Sequence, residues 1–182
     1  MKALTIAPVL AALCWPGIAL AQQPAGPSSD PALSPQANAA YLASNAKKPG
    51  VIVKPDGLQF KIIQSGFGKR PAATDTVQVY YTGTLINGAV FDGTSPGLPA
   101  SFKVSQVIPG WIEALQQMRE GDHWQLVIPS SIGYGSRGAG KAIPPDQTLV
   151  FDMTLLTTTP APRRGEPGYV PDPNDPEDKQ QQ

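Results

Sequence analysis

Residues 51–158 predict an α+β domain, an antiparallel sheet with one short helix laid against it. Three observations carry this. Four segments alternate apolar and polar residues with period two: Leu58/Phe60/Ile62, Val77/Val79/Tyr81, Trp124/Leu126/Ile128 and Leu149/Phe151/Met153/Leu155. Such alternation marks strands with one buried and one wet face. Only one stretch of the domain has helical spacing, with Trp111, Leu115 and Met118 at i, i+4 and i+7. A helix of about eight residues is not stable alone in water, so it must lie on the sheet. Finally, Asn87-Gly88 between "YYTGTLI" and "AVFD" signals a type I′ hairpin.

In chain order, "MKALTIAPVLAALCWPGIALA" (1–21) has a basic start at Lys2, an apolar stretch, and small residues at Ala19 and Ala21. It reads as a secretory signal cut after Ala21. Pro8, Pro16 and Gly17 argue against a membrane span, and Leu13 before Cys14 argues against a lipidated cysteine. Residues 22–35 are a Pro/Ser-rich linker, and 36–48 form a short helix ended by Pro49-Gly50. The 22–50 segment is thus an N-terminal linker with a short helix. In the domain, the helix begins just after Pro109-Gly110 and Gly121 supplies its stop. The tail, 159–182, is too polar and Pro-rich to bury a core and reads as disordered.

Composition excludes several functions. The 182 residues carry 14 basic and 14 acidic side chains, so no field draws the chain to nucleic acid. One His and one Cys cannot build a Cys/His zinc site. With the cut after Ala21 the chain has no cysteine and needs no disulfide in an oxidising compartment. His123 falls on the outward face of its strand with no nucleophile in motif form beside it. "GSRGAGKA" (135–142) partly matches a phosphate loop. Ala142 stands where Ser or Thr would bind magnesium, and Ile143-Pro144-Pro145 prevents the helix that must follow.

Tyr81, Phe91, Val107, Ile108, Trp111, Tyr134, Ile143 and Phe151 are the bulky residues near turns. They read either as the core of a small sheet domain or as the lining of an apolar pocket. Phe91, Tyr134 and Ile143 sit beside turn chemistry, where core residues are fewer, and the two tyrosine hydroxyls need partners if buried. Asp92 reads either as an Asx-type turn residue before Gly93 or as a charged group at the pocket.

The stretches "VYYTGTLINGAVFDGT" (79–94), "FKVSQVIPGWIEALQQMREGD" (102–122) and "IPSSIGYGSRGAGKAIPPDQTLVFDMTLL" (128–156) resemble the FKBP-type peptidyl-prolyl cis/trans isomerases. "SQVIPGW" and the lead-in "NAAYLASNAKKPGVIVKPDGLQFKII" resemble the exported bacterial subgroup, the macrophage infectivity potentiator type. The resemblance implies a half-barrel sheet curled around the helix, with an apolar site between them and Trp111 as its floor. It implies catalytic roles for Tyr81, Asp92, Tyr134 and the Ile108 backbone N–H, and substrate contacts from Phe91, Val107, Trp111, Ile143 and Phe151. Ala100 and Ala139 stand where the wider family has larger side chains, which opens the rim.

The resemblance further implies partners that are unfolded or partly folded exported proteins with X–Pro bonds, and macrolide inhibitors as ligands. It implies no cofactor and no metal. A periplasmic or secreted location follows from the signal. A second reading, a periplasmic chaperone that grips apolar segments with incidental isomerase activity, fits the same aromatic set. The candidate helix at 36–48 has only Tyr41 and Leu42 as larger apolar residues, too little to hold a dimer, so a monomer is expected.

Overall fold

The computed structural model describes residues 30–162 and 166–168. The expected signal segment and most of the expected tail lie outside the described residues. Strands β1 (Val51–Val53), β2 (Gln59–Gln64), β3 (Thr76–Leu85), β4 (Val90–Gly93), β5 (Ala100–Lys103), β6 (His123–Ile128) and β7 (Leu149–Thr159) form one antiparallel sheet. Its order is β1-β2-β6-β7-β3-β4, and β5 also pairs with β3. The two pair with different parts of β3: β5 along Thr76–Val79, β4 along Thr82–Thr84. The register shifts opposite Gln78/Val79, where β7 carries one extra residue, Leu156, and opposite Gly83/Thr84, where β4 carries one, Phe91. The fold is the expected α+β one.

The helix α2 (Pro109–Gln117) lies against the inner face of the sheet. Pro109 sits at its first position, where a missing N–H costs nothing and φ is already set. Trp111, Ala114, Leu115 and Met118 are buried with Phe60, Val77, Val79, Leu126, Met153 and Leu155 of the sheet. Gly110 allows the approach, since a Cβ there would stand 2.7 Å from a methyl of Ile128. The helix ends before Gly121: Met118 is already extended, with its N–H on Ala114 O. Gly121, at φ +89°, instead turns the chain into β6 and donates to Leu155 O.

Three expectations are corrected. The β3–β4 connection is not a type I′ turn. Gly88 alone has positive φ (+86°), Gly88 N–H donates to Leu85 O, and Leu85 N–H to Ala89 O. That is a three-residue loop with a glycine bulge. Asn87 avoids the left-handed region because its Oδ1 instead accepts the Ala89 N–H. Secondly, Ile62 does not share the burial of Leu58 and Phe60 and stays 42% exposed, because pairing with β6 shifts between Ile62 and Gln64 at the end of the strand.

Thirdly, the outer face of the sheet is not uniformly wet. Helix α1 (Pro35–Asn45) starts one residue before and ends three residues before the expected 36–48, and it docks on that face. Asn45 Nδ2 donates to Gln59 Oε1, and Gln59 Nε2 donates to Leu42 O. Gln59 and its register partner Val127 are both buried as a result. Ahead of α1, a 3₁₀ turn at Pro31–Leu33 brings Leu33 into the main core. Packing therefore reaches back well beyond Val51. Among the described residues no helix is long and apolar enough to cross a membrane.

Candidate active site

A cleft of about 360 Å³ opens between α2 and the sheet. Its base is the indole of Trp111, 4% exposed, in the first turn of α2. Three rings stand nearly perpendicular to that indole. Tyr81 from β3 is 5.1 Å away at 86°, Phe102 from β5 is 5.5 Å at 88°, and Phe151 from β7 is 5.1 Å at 79°. Phe91 from β4 extends the wall, edge-on to Phe151 at 5.5 Å. Edge-to-face contacts of this kind are worth about 0.5–1.5 kcal/mol each beyond buried area. They fix a box with a flat floor and upright walls.

Gly83 makes room for that wall. It lies opposite Phe151 in the β3–β7 register, and a Cβ there would come within 2.6 Å of the Phe91 ring. The backbone of β3 thus lets Phe91 lie against Phe151.

The polar groups are few. The Tyr81 hydroxyl donates to Asp92 Oδ2 at 2.6 Å, while Asp92 Oδ1 accepts the Gly93 N–H at 2.8 Å. Asp92 thus stands at the cleft with one oxygen on Tyr81 and the other on its own chain; the Thr94 N–H that an Asx turn would use goes to Tyr81 O instead. Burial, reinforced by Asp92, pushes the Tyr81 hydroxyl well above its ordinary value. Burial and then Asp92 push Tyr134 up as well. Both hydroxyls stay protonated, and so able to donate, through the neutral range.

Tyr134 is 40% exposed at the cleft mouth, with φ −97° and ψ −1°, a sparsely used backbone region common at functional sites. Ile108 is the N-cap of α2, and among the described residues its N–H meets no acceptor. The Trp111 Nε1 is likewise buried without a partner.

The structure brings Tyr81, Phe91, Asp92, Val107, Ile108, Trp111, Tyr134 and Phe151 together around the cleft. Ile143 is the departure: it is not among the lining residues. It is 4% exposed in the core cluster and bridges Ala139 across the Gly-rich loop. Sequence reasoning missed Phe102 and Gln106, which complete the lining. Phe102 left a signal in the alternation of Ala100, Phe102 and Val104. Gln106, in an irregular turn, left none. His123 pairs with Asp152 at 2.7 Å; Asp152 follows Phe151 in β7 but is exposed on the opposite face of the sheet from these rings. Among the described residues, no three His, Cys, Asp or Glu side chains gather into a metal site.

A family model described as FKBP-type peptidyl-prolyl cis-trans isomerase matches residues 68–156. A peptidyl-prolyl cis-trans isomerase of Pseudomonas syringae pv. tomato, solved by crystallography, superposes with a TM-score of 0.65 at 38% identity, covering 69% of this chain and 92% of that one. The chain belongs to the FKBP-type isomerase family. Two curated relatives extend the likeness. An outer membrane protein MIP of Legionella longbeachae is 51% identical over 123 residues, 67% of this chain and 53% of the relative. A 22 kDa FKBP-type peptidyl-prolyl cis-trans isomerase of Escherichia coli K12 is 56% identical over 117 residues, 64% of this chain and 57% of the relative. The chain thus spans little more than half the length of the curated relatives it matches. Within the isomerase family fold, every cleft-lining residue falls inside the matched stretch 68–156.

Proposed function

We propose that this chain catalyses cis/trans isomerisation of X–Pro bonds in exported proteins. The observation that carries the proposal is the aromatic box on Trp111, flanked by the unpaired Ile108 N–H and the tyrosine hydroxyls. The amide resists rotation by roughly 18–20 kcal/mol because its C–N bond has double-bond character. Uncatalysed X–Pro exchange takes on the order of tens to hundreds of seconds. Twisting breaks the resonance and leaves a less dipolar group. An apolar box therefore favours the twisted amide over the planar one, relative to water. The proline ring rests on Trp111, the Ile108 N–H holds a substrate carbonyl, and the Tyr134 hydroxyl donates to the substrate backbone. Asp92 fixes Tyr81 and sets negative charge beside the rotating carbonyl. No nucleophile or proton transfer enters.

The expected signal segment supports export, with cleavage after Ala21 and a periplasmic or secreted mature chain. The same box is the site for macrolide inhibitors. The inward docking of α1 supports a monomer, since Asn38 and Asn45 face the domain rather than a second subunit. A proline-limited refolding assay tests the activity: acceleration that a macrolide abolishes is expected. An unchanged rate at micromolar protein, together with suppressed aggregation of an unfolded client, would establish the chaperone reading instead. Mass spectrometry of the exported chain and light scattering check the cut and the monomer.

A further inference from the structure

We propose that Asn38, on α1, is a positioning residue for Tyr134, acting through the turn that closes the Gly-rich loop. The role given to Tyr134 rests on the isomerase reading, whereas the latch itself rests on geometry alone. The Asn38 side chain is 5% exposed, and every polar atom on it is used. Its Nδ2 faces Leu33 O at 3.1 Å, Ser34 O at 3.0 Å and Gln147 Oε1 at 3.2 Å, and its Oδ1 accepts the Thr148 N–H at 2.7 Å. Gln147, 4% exposed, in turn donates from Nε2 to Leu33 O at 3.2 Å and to Pro145 O at 2.9 Å.

These bonds clamp both sides of Asp146. That residue has φ +60°, the only positive φ outside glycine among the described residues. A backbone so placed persists only where its surroundings over-determine it. The Asp146 N–H then donates to Gly135 O at 3.0 Å, which holds the residue directly after Tyr134. A path of hydrogen bonds joined by short stretches of backbone thus runs from α1 through Thr148 and Gln147 to Asp146, and from Asp146 to Gly135 and the adjoining tyrosine at the cleft mouth. Asn38 lies outside the stretch that the family model matches. The N-terminal helix is therefore part of the machinery that sets the loop, and not merely a tether. Its apolar residues are mostly alanine, so a buried carboxamide, rather than hydrophobic area, gives the dock its specificity.

The test combines peptide isomerisation kinetics with amide hydrogen exchange on the full chain. Asn38→Ala should lower kcat/KM by up to about 100-fold, the scale of a ~1 Å misplacement of a positioned group. In a Tyr134→Phe background the same change should cost nothing more, because both act on one contact. Without substrate, Asn38→Ala should speed exchange of the Asp146 amide, whose own bond does not involve Asn38, while β3 amides keep their protection. Should Asn38→Ala fail to fold, Gln147→Ala breaks the same path and is read the same way. Multiplicative losses in the double variant, or an Asp146 amide that exchanges as in the wild type, overturn the proposal. An inert wild-type protein combined with fast Asp146 exchange would sink the isomerase reading and leave the latch standing.

Discussion

Asp92 and Gly83 show how single residues hold this site, and each makes a distinct prediction. Asp92→Ala leaves the buried Tyr81 hydroxyl without its acceptor and removes the charge at the cleft. A hydrogen bond to a charged group contributes roughly 1.5–3 kcal/mol, so the domain stays folded. Isomerase activity should nonetheless fall by about 100-fold or more, the scale seen when one preorganised electrostatic group is lost. Wild-type activity in a variant with an intact circular dichroism spectrum would reduce Asp92 to a turn residue. Gly83→Ala acts by volume. The new methyl meets the Phe91 ring at 2.6 Å and Phe151 at 2.9 Å, and the Phe91 ring is the freer to move. Overpacking of this kind costs about 1–3 kcal/mol. We expect a raised KM with kcat largely kept, because the wall shifts while Ile108, Tyr134 and Asp92 do not.

At the scale of elements, α2 and the β3–β4 hairpin behave oppositely. Leu115 is completely buried between α2 and the sheet, and packing of this kind is what keeps so short a helix folded. Leu115→Ala should cost about 2–5 kcal/mol in a urea titration, with activity at the folded baseline little changed. Gly88 lies at φ +86° with open space around it. Gly88→Ala should therefore cost only the backbone term, about 1–2 kcal/mol, and leave the kinetics untouched. A loss as large as that at Leu115 would mean the hairpin carries packing beyond its turn. These elements were legible to different degrees. Helix α2 followed from three apolar residues at helical spacing. The hairpin was found, but its turn type was not, since Asn87-Gly88 serves either geometry and the Asn87 side chain settles it by taking the Ala89 N–H.

For the molecule as a whole, the tyrosines set an alkaline limit. Tyr81, Tyr134 and Tyr41 all have hydroxyls pushed upward, first by burial. An unfolded tyrosine ionises near pH ~10. Above that pH the unfolded chain releases protons that the folded chain retains, so the unfolded state gains stability as pH rises. Their contribution is complete below pH ~10 and is lost as pH climbs towards the folded values. The denaturation midpoint should hold steady up to about pH 9 and fall beyond pH ~10, and Tyr81→Phe should lessen that fall. A midpoint that falls as steeply in Tyr81→Phe as in the wild type would contradict the burial of Tyr81.

The sequence by itself determined the sheet, its single inner helix, and eight of the residues around the cleft. Period-two and helical spacings are local properties, and the motif stretches carry the aromatic residues in order. It left two readings of Asp92 open, and the fold puts one oxygen on the Tyr81 hydroxyl and the other on the Gly93 N–H. Tertiary structure alone decided the rest. Ile143, whose backbone closes a tight turn with Ala139, is buried in the core cluster. Phe102 joined the box because β5 pairs with β3 along Thr76–Val79, which brings its ring against Tyr81 and Trp111. The polar Gln59, Asn38 and Gln147 became buried because α1 folds back onto the outer face. No pattern of hydrophobicity announces a carboxamide whose partners lie more than a hundred residues away. Such groups are buried only where those partners meet, and the chain brings them together only once it is folded.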